Sequence, residues 1–178
     1  MHANDLMSHP AITCSASGPL SVAARLMWEN DCGVLPVIDD SGRLVGMITD
    51  RDICMAAFTQ GTALDAIETR TAMAPNVLAC RPDDPVESVE RLMKDGQVRR
   101  IPVIDDDHRP VGVVSLNDLA RHAAGEGRTQ VNREVVSTLA TISEPRAAAR
   151  SRERVQPQSA SVQTRGATAE PDRPSAAH

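Results

Sequence analysis

The sequence predicts an α/β (α+β) fold made of two tandem β-α-β-β-α units packed about a pseudo-two-fold axis, with a C-terminal helix and a disordered tail beyond them. Three observations predict it. Residues 7–53 slide onto residues 73–119 without a gap, and 15 of the 47 aligned positions are identical, which marks a tandem duplication. Within each copy a β-type run passes straight into a capped helix, at residues 46–52 (GMITDRD) and 66 residues later at 112–118 (GVVSLND). Each copy also holds two β-rich runs separated by acidic turn residues, the mark of a hairpin.

Taken in order, residues 3–9 read as a short helical turn leading into a first strand at residues 11–14. Gly18-Pro19 opens a long helix whose apolar face is Leu20, Ala23, Met27 and either Ala24 or Leu26. Its counterpart carries Asp84, Pro85 and Glu87, a capping-box pattern with Asp84 as N-cap, and a buried stripe of Val86, Val89, Leu92 and Met93. Gly33 and Gly96 mark the helix exits. Hairpins follow at residues 34–48 and 100–114. Pro36 and Pro102 lack an amide donor, so each requires an edge or a bulge. Residues 60–62 end the helix after the first capped turn, and residues 64–74 read as a helical connector. The organisation predicted is repeat 1 over 5–60, connector 61–71, repeat 2 over 72–124 and an accessory helix within 128–143 with Val135, Leu139 and Ile142 on one side. Residues 146–178 have almost no apolar periodicity and read as disordered.

Composition narrows the function. Apolar residues make up 41% of the chain, but Phe58 and Trp28 are its only aromatics, so the core is aliphatic. So few rings argue against a base-stacking nucleic-acid platform. Residues 1–145 hold 13 basic and 21 acidic groups and residues 146–178 hold 6 and 3, so an acidic body of −8 precedes a tail of +3. An acidic body disfavours nucleic acid. No apolar run approaches the ~20 residues of a membrane span, and the N-terminus lacks a signal peptide's basic start and apolar segment. Cys14, Cys32, Cys54 and Cys80 form no C-x-x-C pair, which suits reduced thiols in a cytoplasmic protein and not a zinc site.

The two capped turns are where chemistry is expected. A strand entering a helix leaves backbone N–H groups free at the helix start, where a phosphate is attracted. Thr49 and Ser115 add hydroxyls, and Asp52 and Asp118 can each accept two hydrogen bonds from a vicinal diol such as a ribose. The alternative reading of all four is simple helix capping. Arg99 and Arg100 are adjacent on a strand, so one should face inward and the other outward.

The stretches LPVIDDSGRLVGMITDRDI and VRRIPVIDDDHRPVGVVSLNDL resemble the CBS (cystathionine-β-synthase-type) domain, here as a tandem pair or Bateman module, over about residues 5–124. The resemblance implies two clefts between the repeats that take adenosyl compounds: AMP, ADP, ATP or S-adenosylmethionine. It implies Thr49 and Ser115 on phosphate or ribose, Asp52 and Asp118 on ribose hydroxyls, and Arg51 and Asn117 in the variable polar place before each Asp. It also implies a basic contact from Arg99 or Arg100, for which the first copy has only Gly33-Val34, so the Ser115–Asp118 cleft is expected to bind an adenine nucleotide more strongly. No catalytic residues, no metal and no required cofactor are expected. The chain reads as a non-catalytic regulatory module, a homodimer signalling to a protein partner, with Trp28 and the helix over residues 131–142 as contact surfaces. The competing reading is a structural or redox-responsive dimeric interaction protein without a bound nucleotide.

Overall fold

The computed structural model describes residues 1–123 and 129–143; the predicted tail lies outside them. The first copy runs β1 (Cys14–Ser15), α1 (Leu20–Glu29), β2 (Val34–Ile38), β3 (Leu44–Thr49) and α2 (Asp50–Gln60). The second runs α3 (Val86–Gly96), β4 (Arg100–Ile104), β5 (Pro110–Ser115) and α4 (Leu116–Ala123), and α5 (Thr129–Ser143) packs across α3 and α4. The β1–β2 pair is parallel and the β2–β3 hairpin antiparallel. The β4–β5 hairpin repeats that register, with Cys80 bridging to Val103 where the first copy pairs Cys14 with Val37. Register shifts fall at Val37/Ile38 and Val103/Ile104, just after the strand prolines.

Several details differ from the sequence reading. Pro19 and Pro85, both extended with ψ near 150°, are the N-caps of α1 and α3. Asp84 therefore caps nothing; its Oδ2 accepts the Arg81 N–H at 2.7 Å instead. The stripe of α3 buries Val86, Val89, Glu90 and Met93, and Leu92 is only partly buried. Helices α1 and α3 leave through left-handed Asp31 and Gln97, both at φ 48°, not through glycines. The connector is two 3₁₀ turns, Leu64–Ala66 and Thr69–Thr71, not one helix. Among the described side chains of α5, Val135, Thr138 and Ile142 are buried and Leu139 is exposed.

Reciprocal contacts establish the pseudo-two-fold. The segment before each copy is seated on the other copy. Ser8 exchanges both backbone hydrogen bonds with Val113, and Ala74 does the same with Met47. The Ala3 N–H donates to the Asp84 carbonyl, and the Thr69 N–H to Gly18. Each of these pairs maps onto the other by a shift of 66. The aliphatic core divides accordingly: one cluster joins Leu20, Leu35, Ile48 and Ile53 to Ile67 and Met73, and the other joins Met93, Ile101, Val114 and Leu119 to Ala3 and Met7.

This exchange explains the glycines that precede the capped turns. A Cβ on Gly46 would lie 2.4 Å from Met73 Sδ and 3.1 Å from the Ala74 carbonyl. One on Gly112 would lie 2.4 Å from Met7 Sδ and 3.0 Å from the Ser8 carbonyl. Glycine is needed because the crossing segment lies directly against the strand.

Candidate functional site

Both capped turns form as reciprocal boxes. In the first copy Thr49 is the N-cap of α2. Its N–H and Oγ1 both donate to Asp52 Oδ2, at 3.0 and 2.7 Å, and the Asp52 N–H donates back to Thr49 Oγ1 at 3.2 Å. In the second copy the Ser115 N–H and Oγ donate to Asp118 Oδ2 at 2.7 and 2.6 Å, and the Asp118 N–H returns to Ser115 Oγ at 3.3 Å. The hydroxyls and carboxylates thus do the capping that a strand-to-helix turn requires. In each Asp one oxygen is held by the cap, and the other is left over for further chemistry.

What meets that second oxygen differs between the copies. Asp118 Oδ1 accepts a charge-assisted hydrogen bond from Arg121 Nη2, one helical turn on, and Asp118 is only 5% exposed. The position equivalent to Arg121 in the first copy is Met55, and Asp52 is half-buried. The sequence reading missed Arg121. The signal was present in the 66-residue offset, as a cation spaced three residues from Asp118 and absent at Met55.

The helix starts differ too. Around α2 the Asp50 N–H donates to the Gly33 carbonyl at 3.3 Å, the Arg51 N–H to Asp50 Oδ1 at 2.7 Å and the Asp52 N–H to Thr49 Oγ1. The expectation of free N–H groups there is corrected, because Asp50 places a carboxylate of its own at the helix start. In the second copy Leu116 stands in place of Asp50. The Leu116 N–H donates to the Arg99 carbonyl at 2.9 Å, and Asn117 lies exposed between two satisfied neighbours.

Of the two arginines, Arg99 lies in the bend just before β4 and is exposed, and Arg100 is half-buried at the start of the strand. The backbone of Arg100 pairs with Ser115. Its guanidinium reaches the first copy, however, where Nη2 lies 3.7 Å from the position of a Cβ on Gly33, beside Asp50. Arg100 therefore stands between the two copies. Arg51 is exposed at the start of α2.

An open depression of about 400 Å³ borders the first turn on its Gly33–Asp50 side, lined by Ala24, Met27, Trp28 and Ile53 of α1 and α2. The cysteines are unpaired. Burial pushes the Cys14 thiol up to about 11; burial, with the Asp84 charge adding to it, pushes Cys80 up to about 12. Among the described residues, no group of three or more His, Cys, Asp or Glu is gathered as a metal site, and no helix is long and apolar enough to cross a membrane.

The model of the CBS domain matches residues 3–58 and again residues 67–125. The chain belongs to the CBS domain family. Each match contains one capped turn, so the chain is a CBS pair. The CBS pair of protein MJ0100, in complex with 5′-methylthioadenosine and S-adenosyl-L-methionine, superposes with a TM-score of 0.63 at 30% identity, over 71% of this chain and 98% of that one. CBSX2 in complex with AMP superposes with a TM-score of 0.59 at 27% identity, over 68% and 95%. Hypoxic response protein 1 of Mycobacterium tuberculosis is 31% identical over 141 residues, 79% of this chain and 98% of that protein. L-aspartate semialdehyde sulfurtransferase of Methanocaldococcus jannaschii is 33% identical over 122 residues. That match covers 68% of this chain but only 23% of the enzyme, so the likeness is to a minor part of it.

Proposed function

We propose that this CBS pair is a non-catalytic sensor of adenosyl ligands (AMP, ADP, ATP or S-adenosylmethionine). It takes them at the capped turns and passes the bound state, as a cytoplasmic homodimer, to a protein partner. The observation that carries the reading is the carboxylate at each turn, of which the cap uses only one oxygen. The cap fixes Asp52 and Asp118 through Oδ2 and leaves Oδ1 outside the box, without a hydrogen bond among the described residues at Asp52 and bonded to Arg121 at Asp118. A vicinal diol is the natural partner for such an acceptor. Thr49 and Ser115 line the same turns, and Arg51, Arg99, Arg100 and Asn117 supply the polar surround for a phosphate or a sulfonium-bearing chain. The adenosyl complexes of related CBS pairs support the ligand class.

An anionic adenosyl ligand is placed preferentially at the second turn. Leu116 replaces the repelling Asp50 there, and Arg99 and Asn117 are exposed beside it. The redox alternative as carried by Cys14 and Cys80 is disfavoured, because both thiols are buried and burial pushes them up to about 11 and 12. Calorimetric titration of the full chain with AMP tests the reading. Saturable binding is expected, weakened about tenfold or more by Asp118→Ala, since a hydrogen bond to a charged group contributes roughly 1.5–3 kcal/mol. AMP binding that is indifferent to both Asp52→Ala and Asp118→Ala would place the ligand elsewhere.

A further inference from the structure

We propose that Arg121 is a specificity-determining residue that separates the two turns by ligand charge: the second is reserved for anionic adenosyl ligands, and the first is the seat for uncharged ones. The inference rests on the adenosyl reading above and goes beyond it in assigning a role to a residue outside the paired motifs. The two turns share their cap geometry to within a few tenths of an ångström in every hydrogen bond. They differ in what lies three residues beyond the Asp. Arg121 Nη2 occupies Asp118 Oδ1, the same oxygen a ribose diol would need. At the first turn Met55 offers no donor, and the described residues supply no hydrogen bond to Asp52 Oδ1.

The energetics follow from those partners. An uncharged nucleoside entering the second turn must share or displace a charge-assisted bond on a carboxylate that is already nine-tenths buried. It brings nothing to the guanidinium in return. A ligand with a phosphate supplies an acceptor to which the guanidinium can turn, and the Arg121 side chain is 74% exposed and free to swing. The first turn makes the opposite choice. Its carboxylate oxygen is open to a diol, whereas Asp50 at the helix start repels a phosphate and Arg100 beside it offsets that only in part. Solvent exposure of Arg121 weakens the latch, so its effect is expected to be moderate.

The test exchanges the two residues in the full chain and titrates each variant calorimetrically with adenosine and with AMP. Asp52→Ala serves as the background that silences the first turn, and Asp118→Ala as the one that silences the second. In the Asp52→Ala background, Arg121→Met should tighten adenosine and weaken AMP, moving their affinity ratio by about three- to tenfold. Arg121→Lys, which keeps the charge without the planar fork, should move the ratio less. In the Asp118→Ala background, Met55→Arg should shift the ratio towards AMP. Both positions are exposed, so melting temperatures should stay near the parent's. An unchanged adenosine-to-AMP ratio in both exchanges, with binding intact, overturns the latch alone. Absence of binding by either ligand in the unmodified chain overturns the adenosyl reading and the latch with it.

Discussion

A carboxylate three residues beyond an N-cap serves the helix before it serves a ligand, and Asp52 and Asp118 show how one side chain does both. The cap contributes about 0.5–2 kcal/mol to the fold, and the same hydrogen bonds fix the rotamer that would receive a ribose. Each substitution there therefore lowers stability as well as affinity, and Asp→Asn controls are needed to separate the two. The cysteines carry a cleaner prediction. Cys14 and Cys80 are buried in equivalent places, one in each core cluster, and burial pushes their thiols up to about 11 and 12. Their folded values lie above the ordinary thiol range, so the stability they contribute is complete below about pH 8.5. It is lost as the pH rises towards 11–12, because the unfolded chain ionises first. Urea midpoints should accordingly fall above pH 9, and the double substitution Cys14→Ala/Cys80→Ala should flatten that fall. A thiol reagent at neutral pH should label exposed Cys54 first, then half-buried Cys32, and reach Cys14 and Cys80 only on unfolding. Labelling of Cys14 or Cys80 at the rate of Cys54 in the native chain would refute the account of their burial.

At the scale of elements, the structure turns on two crossing segments held against two strands. Gly112→Ala would force a methyl into Met7 Sδ and the Ser8 carbonyl. Overpacking of this kind costs about 1–3 kcal/mol. Met7→Ala should relieve part of that cost, so the double variant should lose less than the sum of the singles. Chemical denaturation of the four proteins measures this, and simple additivity would mean that the segment does not sit where the structure places it. The hairpins and both capped turns were legible in the sequence because each has a local signature: alternation, acidic turn residues, a hydroxyl three positions before a carboxylate. The first strand, expected over residues 11–14, is only Cys14–Ser15, and its counterpart is a single bridge at Cys80. The crossing was not, since residues 64–74 hold no signal that says which copy they will pack against. The N-cap of α3 was misread because Asp84 has a competing local partner in the Arg81 N–H. Arg121 was overlooked because its meaning lies in a difference between copies, whereas the reading followed identities.

At the scale of the molecule, the duplication has been made unequal. Helix α5 lies across α3 and α4 and buries Val135, Thr138 and Ile142 there. The matching pair α1 and α2 carries the chain's two aromatics almost bare, Trp28 at 88% and Phe58 at 81% exposure. Lys94 stands where Trp28 would fall in the second copy. A homodimer formed through α1 and α2 would cover both rings, whereas α5, read from sequence as a contact surface, buries Val135 and Ile142 within its own chain and leaves Val136 and Leu139 exposed. Because Trp28 is the only tryptophan, its fluorescence reports on this face alone. Emission should shift to the blue and resist iodide quenching as concentration rises through the dimerisation range, and Trp28→Lys should leave a monomer by light scattering. Emission that is independent of concentration, with a monomeric chain at tens of micromolar, would rule that interface out.

The central claim is that the paired turns hold an adenosyl ligand, and a ligand that binds only the folded state must stabilise it. At a hundred times its dissociation constant the gain is about 2.7 kcal/mol, enough to move a melting temperature by several degrees. The decisive measurement is thermal unfolding of the full chain with AMP, ADP, ATP, S-adenosylmethionine and 5′-methylthioadenosine, alongside the Asp52→Ala/Asp118→Ala variant. At least one compound should raise the melting temperature of the unmodified chain in a saturable manner and leave the double variant unmoved. No shift with any of the five at millimolar concentration, or an equal shift in the variant, would contradict the account.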